Sequence, residues 1–271
     1  MTTKPILIFL FVLQTSCLVA HAQDADAARI ELGSKTAKDG FRNEDEIRDK
    51  FNKWQSDADA QAWLAAMNYE IADIDSVTAS KPHGEKADVE VTVRTKSGEN
   101  VERISIKLVS SPHGFNQIDK RWLATYAQMW NMPPDIVEAL KLYVGKTPPH
   151  ESSRDRRRMY LDELDPNVQQ AVVDFFTANK DEIVSDLLAG DGVHAAGWMM
   201  VTYKATNEPK WAIRSSADAI KCLGDGDVEV TKAGNRKIGR ITMQRKGGDN
   251  ARDTANMLQF KINPVQLCAL K

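Results

Sequence analysis

Two short runs of alternation constrain this chain more than any other feature. Val89, Val91 and Val93 alternate with polar residues, as do Ile104, Ile106 and Leu108, and Lys96-Ser97-Gly98-Glu99 lies between the runs. Alternation of period two makes each run a half-buried β-strand, and the Ser-Gly link is a turn signal, so the segment reads as a β-hairpin. A two-residue loop at Ser97-Gly98 would set Asp88 opposite Lys107 and Glu90 opposite Ser105. Side chains alternate across a strand, so these polar residues all share the face away from the valines and isoleucines. The apolar face can bury itself; the other carries two carboxylates, a hydroxyl and an ammonium.

Such a face suits a hard divalent cation held beside a phosphate. Mg²⁺ takes carboxylate oxygens, keeps several waters and leaves positions for a phosphate. A lysine beside it can stabilise charge that builds up on a reacting phosphoryl group. The competing reading is a solvated hairpin face with ordinary cross-strand charge pairs, and the hairpin by itself does not decide between them.

The rest of the chain supplies helices and further strands. Asn43 with Glu46 three residues on reads as a capping box, after which Ile47, Phe51 and Trp54 share one helical face. A second helix is expected over Gln61–Tyr69 and a third over Asn116–Trp130, where Ile118, Trp122, Leu123, Tyr126, Met129 and Trp130 have helical spacing. Pro133-Pro134 opens a helix that stops at Gly145, and Asp165-Pro166 opens one to about Asn179, with another to Gly190. Between them, residues 147–158 (TPPHESSRDRRR) form a basic loop. Strands are expected near 198–204, 211–214, 228–230, 238–245 and 258–262. The fold class is therefore α/β: a mixed β-sheet flanked by helices, in a single domain over residues 28–271.

The first 22 residues stand apart. Lys4, the apolar run Ile6–Leu13 and Ala20-His21-Ala22 have the layout of a secretory signal peptide, and the run is too short to span a bilayer. An upstream misplaced start is the alternative. Without these residues Lys+Arg falls from 36 to 35, only Lys4 being lost, against 38 Asp+Glu, so the net charge goes from −2 to −3. Any nucleic-acid site must then be a local basic face on an acidic body. Cys222 and Cys268 remain after the leader; a chain of this size can bury a core without a bridge, and free thiols are the simpler reading.

Longer blocks carry a resemblance. The runs ELGSKTAKDGFRNE (31–44), KLVS (107–110), GFNQIDKRWLA (114–124), RRMY (157–160) and QRKGGDNARDTANMLQFKI (244–262) closely resemble the HinP-type restriction endonucleases, in order, from about Ile30 to Leu267. The resemblance implies a restriction-endonuclease-like PD-(D/E)xK fold, Mg²⁺-dependent hydrolysis of double-stranded DNA to 5′-phosphate ends, and recognition of GCGC. It implies that Asp88 is the metal-binding aspartate and Lys107 the catalytic lysine. Two residues before that lysine the superfamily carries Glu, and the HinP pattern Gln; here the residue is Ser105, a catalytic position with a hydroxyl but no charge. The missing carboxylate could come from Glu90 or from Glu44, while Glu90 could equally be a solvated strand residue and Glu44 a helix N-terminal charge.

DNA contacts are expected at Phe115, Asn116, Gln117 and Lys120, just after the catalytic strand, and at Gln244, Arg245, Lys246, Gly247 and Gly248. Gln117 can read a base edge, and Phe115 can wedge between base steps or act as a hydrophobic staple. Arg245 suits guanine, and the glycines let backbone approach a phosphate. The arginines at 154 and 156–158 fit phosphate contact or a solvated loop equally well. A companion DNA methyltransferase and a homodimer go with this reading, and no membrane association of the mature chain. A structure-specific or non-specific nuclease of the same fold would need only backbone contacts. A secreted binding or effector protein is favoured only by the leader. A nuclease of cellular or phage DNA needs access to the cytoplasm, where this chain is expected.

Overall fold

The computed structural model describes residues 31, 34–83, 86–206, 209–248 and 252–269. The signal-like leader, 1–22, lies outside the described residues.

The hairpin organises a mixed sheet. Strands β1 (Ile74–Ser80), β2 (Val89–Thr95), β3 (Gly98–Val109), β5 (Trp198–Tyr203) and β6 (Lys210–Ser215) are ordered β1-β2-β3-β5-β6. All neighbours are antiparallel except β3 and β5, which run parallel. The expected mixed sheet is therefore present, and a second sheet accompanies it. Strands β4 (Asn116–Arg121), β7 (Val228–Val230), β8 (Arg236–Ile238), β9 (Ile241–Arg245) and β10 (Leu258–Ile262) form an antiparallel array ordered β4-β10-β9-β8-β7.

Helices fill the faces that alternation leaves apolar. Helix α1 (34–52) and α2 (Ala58–Ala66) bring Ile47, Phe51, Trp63 and Leu64 onto Val89, Val91, Ile104 and Ile106. Each such fully buried aliphatic side chain is worth about 1.5–3 kcal/mol relative to exposure. The other core joins α3 (Leu123–Met129), α4 (Pro134–Val144), α5 (Pro166–Ala178), α6 (Lys180–Leu188) and α7 (Ser216–Gly224) to the second sheet. Met199 and Val201 of β5 belong to it, so the mixed sheet is covered on both sides. A short α8 (Val265–Cys268) follows β10. Among the described residues no helix is long and apolar enough to cross a membrane.

Two sequence expectations are corrected here. Asn43 is not a cap: α1 starts before it, and Asn43 is buried in mid-helix, donating to Thr202 Oγ1 at 3.4 Å. Residues 116–121 are not helical either. They form β4, the edge strand that satisfies one side of β10, and the helix begins only at Leu123. The helical spacing of the apolar residues was real for 123–129, but the backbone of 116–121 finds its hydrogen bonds on a neighbouring strand.

Other expectations match the local chemistry. Asp165 caps α5 by accepting from Asn167 N at 2.8 Å, with Pro166 in the first turn. Gly145 ends α4 at φ 79°, and a Cβ there would meet Arg157 O at 2.6 Å. The basic loop is tied down by one carboxylate. Glu163 accepts from Tyr160 N at 2.7 Å, Arg154 N at 2.9 Å, Ser153 Oγ at 2.7 Å and Arg154 Nε at 2.8 Å. Burial works against its charge, but these donors outweigh it and hold the carboxyl down to about 2. A carboxyl depressed in the fold stabilises it above its unfolded value and loses that contribution as pH falls through the folded one. The stability difference between wild type and Glu163→Gln should thus be constant above about pH 4.5 and shrink toward pH 2. Urea melts across that range measure it; a difference that does not change with pH would contradict the assignment.

Candidate nuclease site and DNA-reading face

The turn of the hairpin is Lys96-Ser97, because Thr95 pairs with Gly98. This differs by one residue from the loop expected from sequence and moves every cross-strand partner by two. Val89 faces Ile104 and Glu90 faces Arg103. A shift of two preserves the faces, so the polar set stays together while its pairings change.

Asp88 lies just before β2, with its amide donating to Ile104 O at 2.9 Å. Its Oδ2 accepts from Ile106 N at 2.6 Å and from Ser105 Oγ at 3.4 Å. Lys107 Nζ donates to Ser105 Oγ at 3.0 Å and to Ile106 O at 3.0 Å, and lies 3.7 Å from Asp88 Oδ2. Asp88, Ser105 and Lys107 therefore form one connected cluster, with Ser105 buried between the two charges.

Glu90 is not part of it. Its carboxylate pairs with Arg103 at 3.1 Å, one strand repeat along from Ser105. The expectation that Glu90 stands opposite Ser105 and replaces the missing carboxylate is thus corrected. Glu44 comes closer in effect. It sits in the middle of α1, where a helix N-terminal role does not apply. Burial pushes its carboxyl up; the hydrogen bond from Lys81 lowers it, the field of Asp88 raises it and that of Lys107 lowers it. Glu44 thus shares an electrostatic environment with the cluster, its Oε2 lying 2.9 Å from Lys81.

The cluster opens into a cleft of about 650 Å³ whose opposite wall is β4 with the Gly190–His194 turn. Of the residues that line this cleft, sequence reasoning named Gln117 and Lys120 on the wall but missed Lys86, Asp119 and Arg121. Lys86 is half-buried and donates to Ile118 O at 3.0 Å, to Leu187 O and to Asp119 Oδ2 at 3.4 Å. Burial lowers its ammonium to about 8, against the pull of Asp119. Asp119 also accepts from Tyr126 OH at 2.6 Å and from Arg121 at 3.1 and 3.2 Å. No local pattern announces this arrangement, because its members come from separate elements.

The second sheet presents the DNA-reading candidates. Gln117 and Lys120 of β4 line the cleft. Lys120 is paired with Gln259 of β10, which is paired with Gln244 of β9, so these three share a face. Phe115 precedes β4 and is 55% exposed; since no helix begins at Asn116, the staple reading does not apply. Asn116 is used locally, donating to Leu108 O at 2.8 Å. Arg245 is paired with Leu258 and so projects from the face opposite Gln244. It donates to Val144 O at 2.8 Å and Asn256 Oδ1 at 2.7 Å, so the two residues expected to contact DNA point to opposite faces of β9. Lys246 follows, and Gly247 and Gly248 both take φ 65°, a conformation that favours glycine. In the 147–158 loop, Arg154 pairs with Asp162 and Glu163, and Arg157 with Asp155 at 3.1 Å. Arg158 stacks on Tyr160 at 3.9 Å.

The mixed sheet thus carries an Asp–Ser–Lys cluster at the mouth of a cleft, beside an antiparallel sheet with one polar face, and the comparisons assign this arrangement to the type II restriction endonucleases. The fold is similar to that of the restriction endonuclease MspI, solved in complex with its cognate DNA: TM-score 0.60, 13% sequence identity, covering 90% of this chain and 98% of that one. At that identity the likeness is one of fold. The R.HinP1I restriction endonuclease family model matches residues 67–268, and the chain belongs to that family. Among curated proteins none matches the sequence.

Proposed function

We propose that this chain is a Mg²⁺-dependent site-specific endonuclease that cleaves double-stranded DNA at GCGC and leaves 5′-phosphate ends. The observation that carries this reading is continuity: the cleft lined by Asp88, Ser105 and Lys107 also contains Gln117 and Lys120. A phosphate held by the first group would have its neighbouring bases over the second.

The residues fit Mg²⁺. Among the described residues no group of three or more His, Cys, Asp or Glu is placed to hold a metal ion. A cation that takes one or two carboxylates and completes its shell with water and phosphate suits Asp88 and Glu44. Bound there, Mg²⁺ would lower the pKa of a water and neutralise phosphate charge. Lys107, oriented by Ser105, donates to the phosphoryl oxygens as negative charge develops. Gln117 and Lys120 supply donors to base edges, and Phe115 an apolar wedge. Lys246, just beyond β9, would supply a phosphate contact, whereas the Gly247 amide is committed to Ala255 O at 3.0 Å.

Each chain carries one Asp88–Lys107 pair, so cutting both strands takes two copies or two visits. This reading brings with it a companion methyltransferase that protects the host's own sites. It also places the protein in the cytoplasm, where its substrate is, and identifying the N-terminal residue of the native protein tests that. The reading as a whole is tested by digesting a plasmid of known sequence with Mg²⁺ and mapping the ends. The expected result is 5′-phosphorylated ends confined to GCGC. Cuts scattered without regard to sequence would favour a non-specific nuclease of the same fold, and no cutting in Mg²⁺ would remove the metal assignment.

A further inference from the structure

On the polar face of the second sheet, three glutamine amides on adjacent strands are joined head to tail. Gln259 Nε2 donates to Gln117 Oε1 at 2.7 Å, and Gln244 Nε2 donates to Gln259 Oε1 at 3.3 Å. Gln117 is exposed at the cleft, Gln244 is half-buried, and Gln259 between them is only 8% exposed. Gln259 and Lys261 lie on the face opposite Leu258, Phe260 and Ile262, which enter the core, and Gln259 is the more enclosed of the two. It is too enclosed to reach a base edge, yet it is bonded to both outer amides.

We propose that Gln259 is a specificity-determining positioning residue that sets which hydrogen-bonding atoms Gln117 and Gln244 offer to DNA. An amide has one carbonyl oxygen and one NH₂ group, and a turn of 180° exchanges them. By donating to Gln117, Gln259 commits the Gln117 oxygen and leaves its NH₂ facing outward as a donor. By accepting from Gln244, it commits an N–H there and leaves the Gln244 oxygen as an acceptor. The sheet thus presents a donor on the β4 side and an acceptor on the β9 side. A G·C pair offers acceptors on guanine and an N4–H donor on cytosine in the major groove, and acceptors with a guanine N2–H donor in the minor groove. A fixed donor and a fixed acceptor complement that pattern, whereas freely turning amides would tolerate other pairs. This inference rests on the reading that Gln117 and Gln244 contact base edges.

Substitutions at 259 separate a positioning role from a scaffolding one. Gln259→Met keeps the shape and removes both hydrogen bonds, releasing the outer amides. Gln259→Glu can only accept, so it still receives Gln244 but obliges Gln117 to turn its NH₂ inward and its oxygen toward the DNA. The experiment is sequencing of the ends cut by each variant from a duplex library with four randomised base pairs, in Mg²⁺, alongside thermal melts. Wild type should return one dominant sequence. Gln259→Met should lose roughly 10- to 100-fold in discrimination while still cutting, and Gln259→Glu should change the preferred base at a defined position. In a Gln117→Ala background the Gln259→Met effect should largely disappear, a coupling that a general packing defect would not produce. Variants that keep the wild-type sequence and its discrimination overturn the proposal, as does a Gln259→Met loss that is equal for all sequences. A wild type that cuts without preference instead removes the site-specific reading on which the proposal rests.

Discussion

Replacing Lys107 or Asp88 by alanine is expected to abolish cleavage while leaving sequence-specific binding measurable. Lys107 is the ammonium nearest the Asp88 carboxylate, at 3.7 Å, and Ser105 fixes its direction. A preorganised charge aimed at a developing anion counts in the transition state and little in the ground state, so its loss falls on the chemical step. Removing one such group costs at least roughly 10²–10³-fold. Asp88→Ala removes the carboxylate that best suits a cation and also leaves the Ile106 amide without its 2.6 Å acceptor. The base-reading candidates lie on the other sheet, β4, β10 and β9, and are expected to keep their geometry in both variants. Single-turnover cleavage of a GCGC duplex, paired with an equilibrium binding titration, separates the two effects. Wild-type cleavage by either variant would show that the chemistry is elsewhere.

The second large effect is expected at Glu44 rather than Glu90. From sequence, Glu90 was the nearer replacement for the carboxylate absent at Ser105. In the structure both carboxylates have an ion-pair partner, Glu90 Arg103 at 3.1 Å and Glu44 Lys81 at 2.9 Å, and Glu44 also feels the fields of Asp88 and Lys107. Glu44→Gln keeps size and hydrogen-bonding capacity and removes only charge. It should shift the Mg²⁺ dependence of cleavage by roughly 10- to 100-fold, a range typical of groups that support a metal site. Glu90→Gln removes a partly exposed ion pair and should leave cleavage within about fivefold of wild type. Ser105→Ala should fall between them, since it removes the hydroxyl that orients Lys107. A Mg²⁺ titration of single-turnover rates for the three variants tests this order. Glu90→Gln proving more damaging than Glu44→Gln would restore the sequence-based assignment.

The sequence by itself determined which residues share a face. Alternation at 89–93 and 104–108 fixes the inward and outward sides of the hairpin, and a one-residue error in the turn shifts partners by two without crossing sides. Asp88, Ser105 and Lys107 were therefore legible as a group, and the long matching blocks around them pointed to the family. What sequence could not decide was which residue stands next to which across distance. Whether Glu90 meets Ser105 or Arg103 depends on where the loop closes, and Glu44 comes within the field of Asp88 and Lys107 only because α1 packs on the same sheet. The helical spacing near Asn116 gave way to a strand because β10 had an edge to pair, and that pairing put Gln117 beside Gln259, 142 residues away. Arg245 looked like a base reader from its neighbours in sequence, yet strand parity sends it to the opposite face from Gln244. Local periodicity encodes faces because it repeats within a few residues of backbone; the pairing of separate strands is settled by burial and backbone hydrogen bonding over the whole chain, and only the tertiary structure records it.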